Sequence, residues 1–329
     1  MTRLALVSLM CLAGCSSLAV AVAPKKQPKP DDRAFVKTLT EDFWAALHGG
    51  RYDAIGGLLE RHKQAYLTHP FDASIAAHTG FLHMWRIAES ARSPELVAGI
   101  TDDMSLARVY FGSAVKLDPD WALVRGFWAS TVLAEGAIHQ DQRQLREGYF
   151  ALEDAVAMWP ELNLFTKAFM LAQAKHDSPE YQQAVDAFWK NVEVCADGAP
   201  DRKHPDFSKF ARPDPNDPKK AICFNTWKAP FNFEGSMLVF GDLLVKQGEV
   251  EAAKQVYASA RLSPRFEQWP YRQTLEARLA NADANVAPFR LEPREQPAEK
   301  KFITGAAFTC TVCHQKEGAP AGGAVAAGR

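Results

Sequence analysis

From about residue 34 onward, apolar side chains recur every three or four positions in segment after segment, the pattern of helices that each bury one stripe. Tyr181, Ala184, Val185, Phe188, Trp189 and Val192 form one stripe; Val124, Phe127, Trp128 and Thr131 form another, and Leu145, Tyr149, Leu152 and Val156 a third. The pattern runs for about 160 residues with no period-two alternation long enough to make a strand. Pro70, Pro119, Pro160 and Pro264 each fall between two helical patterns. Proline suits the first turn of the second helix there, because the N–H it lacks would have no intrahelical partner. The chain is therefore expected to be all-α, built of stacked helical hairpins.

The pattern breaks in two places. Between Cys195 and Pro230 it gives way to Pro200, Pro205, Pro213, Pro215 and Pro218 with interspersed charge. A structureless loop of that length is unusual inside a domain and reads as a surface insertion or a binding loop. After Asn281 the sequence turns linker-like, with Pro288, Glu292, Glu295, Pro297, Lys300 and Lys301, and residues 318–329 are Ala- and Gly-rich and read as disordered. The expected divisions are a leader over 1–14, a linker over 15–33, a helical body over 34–281 that carries the 195–230 loop, and a linker and tail over 282–329.

Ala107, Phe111, Ala114 and Pro119 are spaced so that small residues mark a close helix contact, an aromatic fills it and a proline makes the turn. This set resembles the tetratricopeptide repeat. Ala253, Tyr257 and Ala260 followed by Pro264 look like a second copy, entered through Gly248, and Gly148, Leu152, Ala155 and Pro160 make a looser match. The prolines are spaced more widely than the ~34-residue repeat of that family. The resemblance implies a solenoid with a concave protein-binding surface.

Composition adds little to the fold but narrows the partners. The 329 residues carry a net charge of −1, with 47% hydrophobic and 11% aromatic residues, as in a globular protein. With no basic excess, nothing points to nucleic acid. The N-terminus reads as an export signal, Arg3 supplying the positive start and Leu4 to Leu12 an apolar core too short to span a bilayer. Leu12-Ala13-Gly14-Cys15 resembles a bacterial lipobox, which implies lipid on Cys15 and a membrane anchor; Ser16 after it implies the periplasmic side of the outer membrane. A cut after Ala23, giving a soluble periplasmic protein, is the alternative, disfavoured because Pro24 would follow it. Pro24, Lys25, Lys26, Pro28, Lys29 and Pro30 are then a stiff polar tether holding the fold off the membrane. In an oxidising compartment Cys195 and Cys223, left over once the other four cysteines are assigned, are expected to form a disulfide.

The strongest motif lies near the end, in Cys310-Thr311-Val312-Cys313-His314. C-x-x-C-H is the attachment signal of c-type haem, in which two thiols bind the macrocycle edge and the next imidazole reaches the iron. Cys310 and Cys313 are the expected thioether anchors of one covalent haem c, and His314 the proximal iron ligand. A zinc site would need two further ligands, a thioredoxin-like pair would need a βαβ setting, and a short-loop disulfide would leave His314 unexplained. A small cytochrome c resembles a helical wrapper with a methionine well downstream; here only residues 315–329 follow His314, and none is Met. Cover for the haem, and any sixth ligand, must come from elsewhere. His78 and His83, beside Phe81, Met84 and Trp85, are the candidate distal ligands. Lys300, Lys301 and Lys316 are placed to collar a haem edge.

These features point to an exported haem protein that transfers single electrons with a redox protein docked on the repeats. The alternative is a protein-binding scaffold whose haem is structural or regulatory. A peroxidase would need a distal base or arginine above the iron, and no sequence feature identifies one. The sequence holds no hydrolase triad, phosphate-binding loop or metalloprotease helix motif.

Overall fold

The computed structural model describes residues 18–31, 33–89, 99–209, 218–293, 295–297, 300–305 and 310–316. The expected leader, Cys15, loop residues 210–217 and the Ala/Gly-rich end lie outside them. Among the described residues the chain is all-α, with no strand. Helices α1 (Ala34–His48), α2 (Ile55–Thr68), α3 (Ala73–Ala88), α4 (Ile100–Leu117), α5 (Ala122–His139) and α6 (Gln142–Met158) are followed by α7 (Pro160–Leu171) and α8 (Pro179–Ala196). Then come α9 (Asn232–Gln247), α10 (Val250–Ser259), α11 (Arg272–Ala280), α12 (Ala282–Arg290) and the short α13 (Cys310–His314). From α1 to α12 each helix packs on its neighbour in sequence, giving a stack of helical hairpins.

Local chemistry sets the helix ends. Asp72, Asp141 and Ser178 cap α3, α6 and α8 by accepting from N–H groups of the first turn, which otherwise lack partners. Pro160 and Pro179 occupy the first turns of α7 and α8. Gly248, at φ 102°, ends α9 in the left-handed region that glycine enters without steric cost.

Both clearer repeat-like segments lie at tight helix contacts. Ala107, Phe111 and Ala114 are fully buried, and a Cβ on Gly80 of α3 would come within 2.8 Å of the Phe111 ring. Ala253, Tyr257 and Ala260 are equally buried, and a Cβ on Gly241 of α9 would come within 2.2 Å of the Tyr257 ring. Aromatic against bare backbone is what lets each pair approach closely.

The 195–230 segment is more than a loose insertion. Cys195, at the end of α8, is joined to Cys223 at the end of a 3₁₀ turn, Pro218–Cys223, with S–S 1.95 Å and Cα–Cα 5.8 Å. Phe207, Phe224 and Phe231 are buried in the main core, and Ala229 is buried beside them in sequence. With a sequence separation of 28, closing this loop stabilises the fold by about 3–4 kcal/mol in the chain-entropy picture. Replacing both cysteines with serine is expected to lower the unfolding free energy by about that amount, measured by chemical denaturation.

Two expected boundaries are corrected. The helical body does not end at Asn281, because α12 packs on α9 and α10 with Phe289 fully buried. The proline and charge of 282–297 masked a helix whose apolar contacts are few but deep; Pro288 sits near its end, where only one hydrogen bond is forfeited. Nor does the polar segment before α1 stand clear of the fold. The Lys29 N–H donates to the Phe71 carbonyl at 2.8 Å, the Asp31 N–H donates to Asp72 Oδ2 at 2.9 Å, and the Lys26 ammonium lies over the Tyr66 and Phe71 rings. Lysine stems lay this segment on the apolar corner between α2 and α3.

Candidate functional site

Residues 300–305 strap the tail to the body. Asp242 of α9, fully buried, accepts from the Tyr257 hydroxyl at 2.5 Å and from the Ile303 N–H at 2.9 Å, with Arg278 Nε 3.6 Å away. Arg278 in turn donates to the Lys301 carbonyl. Phe302 and Ile303 are buried, and the Phe302 ring lies 4.5 Å from the ammonium of Lys246. Ile303 has φ 45°, a costly conformation for a β-branched residue, held here by the Asp242 bond.

Beyond the strap, α13 rests on α9 and α1. The Trp269 indole N–H donates to the Val312 carbonyl at 2.8 Å and the Phe231 N–H to the Cys313 carbonyl at 3.0 Å. These bonds satisfy carbonyls that so short a helix leaves open. Tyr271 hydroxyl and Thr311 Oγ1 are 2.7 Å apart, the Tyr52 hydroxyl donates to Gln315 Oε1 at 2.9 Å, and the Lys316 N–H donates to the His48 carbonyl at 2.7 Å. Val312 is buried, and Gly235 of α9 leaves room for the turn, since a Cβ there would meet Cys313 Sγ at 2.4 Å.

One turn of helix places Cys310, Cys313 and His314 on a common side. Both cysteines are free. Burial of their sulfurs pushes each thiol up to about 12, so they are neutral. His314 Nδ1 is 2.7 Å from the Lys228 carbonyl oxygen. A carbonyl can only accept, so Nδ1 carries the proton and Nε2 keeps its lone pair. Burial lowers the His314 pKa to about 4, leaving the neutral ring that metal binding requires. The donor set fits a c-type haem: paired thiols one turn apart, and an imidazole whose tautomer is fixed by a backbone carbonyl. Among the described residues no group of three or more His, Cys, Asp or Glu is arranged to hold a metal ion.

Around His314 lies an aromatic and histidine cluster. Trp44 of α1 is 5.8 Å from His314 and 6.4 Å from His78, centroid to centroid, and stacks edge-on against Trp227. His48 Nε2 reaches the same Lys228 carbonyl at 2.9 Å, and Trp227 is exposed. His62 Nδ1 donates to the Leu58 carbonyl at 2.8 Å, while its buried Nε2 has no hydrogen-bond partner.

Of the two histidines expected on the distal side, His78 is the one linked to the motif, through Trp44. His83 faces α4 instead: its Nδ1 is 2.8 Å from Asp103 and its ring stacks on Tyr110. Lys301 donates to the Pro293 carbonyl, whereas Lys316 is exposed beside the motif. Sequence reading did not single out Trp44, His48, Lys228 or Gly235. Lys228 acts through its backbone and leaves no sequence signal, whereas an isolated glycine in the helical pattern of α9 is a sign of close approach.

Burial lowers the pKa of His62, and lowers that of His78 to about 4. Groups whose folded pKa is depressed contribute stability that is fully present above the unfolded value of about 6.5 and lost as pH falls through the folded value. The unfolding temperature is therefore expected to drop between pH 6.5 and 4, and His78→Gln to flatten that limb in a calorimetric pH series.

These features define an all-helical hairpin stack with a strapped C-x-x-C-H turn. No family model, curated protein or solved structure matches the chain. No helix among the described residues is long and apolar enough to cross a membrane.

Proposed function

We propose that the protein is an exported, lipid-anchored carrier of one covalent haem c that exchanges single electrons with a redox protein docked on its helical stack. The observation that carries this reading is the Nδ1–H bond from His314 to the Lys228 carbonyl within the C-x-x-C-H turn. In a disulfide reading that orientation has no purpose; in a metal-binding reading it prepares Nε2 for the ion, and the two thiols one turn from it match haem attachment. Cys310 and Cys313 would hold the macrocycle covalently. The haem, when bound, supplies a one-electron couple. The chain's own residues orient the ligand, shield it beside Trp44 and Val312, and hold the turn on α9. His78, next to Trp44, is the proposed source of a sixth ligand.

Production in a host that ligates c-type haem tests the reading. The purified chain is expected to keep haem through denaturing electrophoresis and to show a low-spin reduced spectrum that His78→Ala converts to high-spin. A chain that carries no covalent haem overturns the proposal. An unchanged spectrum in His78→Ala overturns only the ligand assignment.

A further inference from the structure

The corner between α2 and α3 collects exposed apolar side chains that the haem reading does not use. Leu67, at 79% exposure, ends α2, and Phe71 and Phe35 are exposed beside it. The Phe35 ring lies 5.2 Å from His69, and Lys26 lies over Phe71. The segment that crosses this corner brings Lys25, Lys26, Lys29 and Arg33. Upstream of it, Leu18, Val20 and Val22 are all exposed. The carboxylates here are engaged: Asp31 is paired with Arg33 and His69, and Asp72 caps α3 while accepting from the Asp31 N–H. Glu60, two turns earlier on α2, is paired with Lys63.

We propose that this corner is a membrane-contact surface, seated on the anionic face of a phospholipid bilayer. Exposed leucine and phenylalanine within a rim of lysines is the arrangement by which peripheral proteins bury apolar tips at the headgroup boundary and meet anionic lipid with positive charge. The length of chain before the corner favours that occupant, on the reading that Cys15 is lipidated. From Cys15 to Lys26 an extended chain reaches at most about 40 Å, and Lys26 and Lys29 then hold the segment against the body. The anchor and the corner therefore share one side of the molecule. The segment works as a short strap that presents α2 and α3 to the bilayer, rather than as a spacer holding the fold away from it.

The experiment separates this surface from the anchor. Full-length chain with Cys15→Ser, which cannot be lipidated, is mixed with vesicles of phosphatidylcholine alone or phosphatidylcholine with phosphatidylglycerol, and bound protein is measured by co-sedimentation. Binding is expected on the phosphatidylglycerol vesicles, weakening as salt is raised. Leu67→Glu with Phe71→Glu, both at exposed positions, is expected to weaken it about tenfold or more. Absence of binding by the Cys15→Ser chain, or binding that the paired substitution leaves unchanged, overturns the proposal. So does a lipid-free dimer that the same substitution dissolves, which would make the occupant a second copy. Mass measurement of Cys15 in the native chain reports lipidation by itself, so a missing lipid leaves this test standing.

Discussion

A chain carrying Cys310→Ala and Cys313→Ala, made where c-type haem is ligated, is expected to hold no covalent haem, while its far-ultraviolet helical signal stays unchanged. The body should survive because both thiols are unpaired, and the contacts that hold α13 run through the Val312 and Cys313 carbonyls, Thr311 and Gln315 rather than through sulfur. Each of those bonds contributes about 1 kcal/mol, so removing the two sulfurs leaves most of its docking intact. A second measurement reads the same thiols without haem. With the thiols pushed up to about 12, the haem-free chain should react with iodoacetamide at pH 8 far more slowly than a free cysteine; the loss of thiolate makes the difference about a thousandfold. Unfolding in urea should restore the ordinary rate. Haem retained by the double variant would sink the attachment assignment, and rapid alkylation of the folded chain would sink the buried setting of the sulfurs.

The hairpin stack could be read from periodicity because helix-forming stripes such as Tyr181 to Val192 are long, and their period admits one interpretation. The close contacts were legible at Phe111 and Tyr257 through their alanine neighbours, although the glycines that receive them, Gly80 and Gly241, come from partner helices and only the fold reveals the pairing. Reading failed where polar sequence is ordered by tertiary contacts. In Ala282–Arg290 a proline and few apolar residues look like a linker, yet Ala282 and Phe289 reach fully buried positions in the core. At Lys25 to Lys29 the charges suggested a solvated spacer, while the aliphatic stems and backbone of the segment lie on Tyr66 and Phe71. The C-x-x-C-H turn itself was plain in sequence. Its supports were not, since the group that orients His314 is a main-chain carbonyl 86 residues away.

The tail's hold on the body is expected to depend on Asp242 more than on any other side chain. It is fully buried, and three donors converge on it: the Tyr257 hydroxyl, the Ile303 N–H and, less closely, Arg278. Asp242→Ala would leave all three facing an apolar cavity, with a buried guanidinium short of its counter-charge. Removing one member of a buried pair costs about 3–5 kcal/mol. Asp242→Asn is milder, because an amide offers only one acceptor oxygen and turns its NH₂ toward a donor; about 1–3 kcal/mol is expected. Both variants should first loosen Phe302 and Ile303, since the strained φ of Ile303 persists only while Asp242 accepts its N–H. Amide hydrogen exchange should then rise at residues 301–303 and across α13, with α3 to α8 unaffected. In haem-loaded protein the same variants should shift the absorption spectrum toward high spin, because the turn bearing His314 would no longer be fixed against α1 and α9. If exchange at α13 stays at the wild-type rate in Asp242→Ala, the aspartate does not hold the strap, and the docking of the motif rests on its own contacts with Trp269, Tyr271, Phe231, Tyr52 and His48.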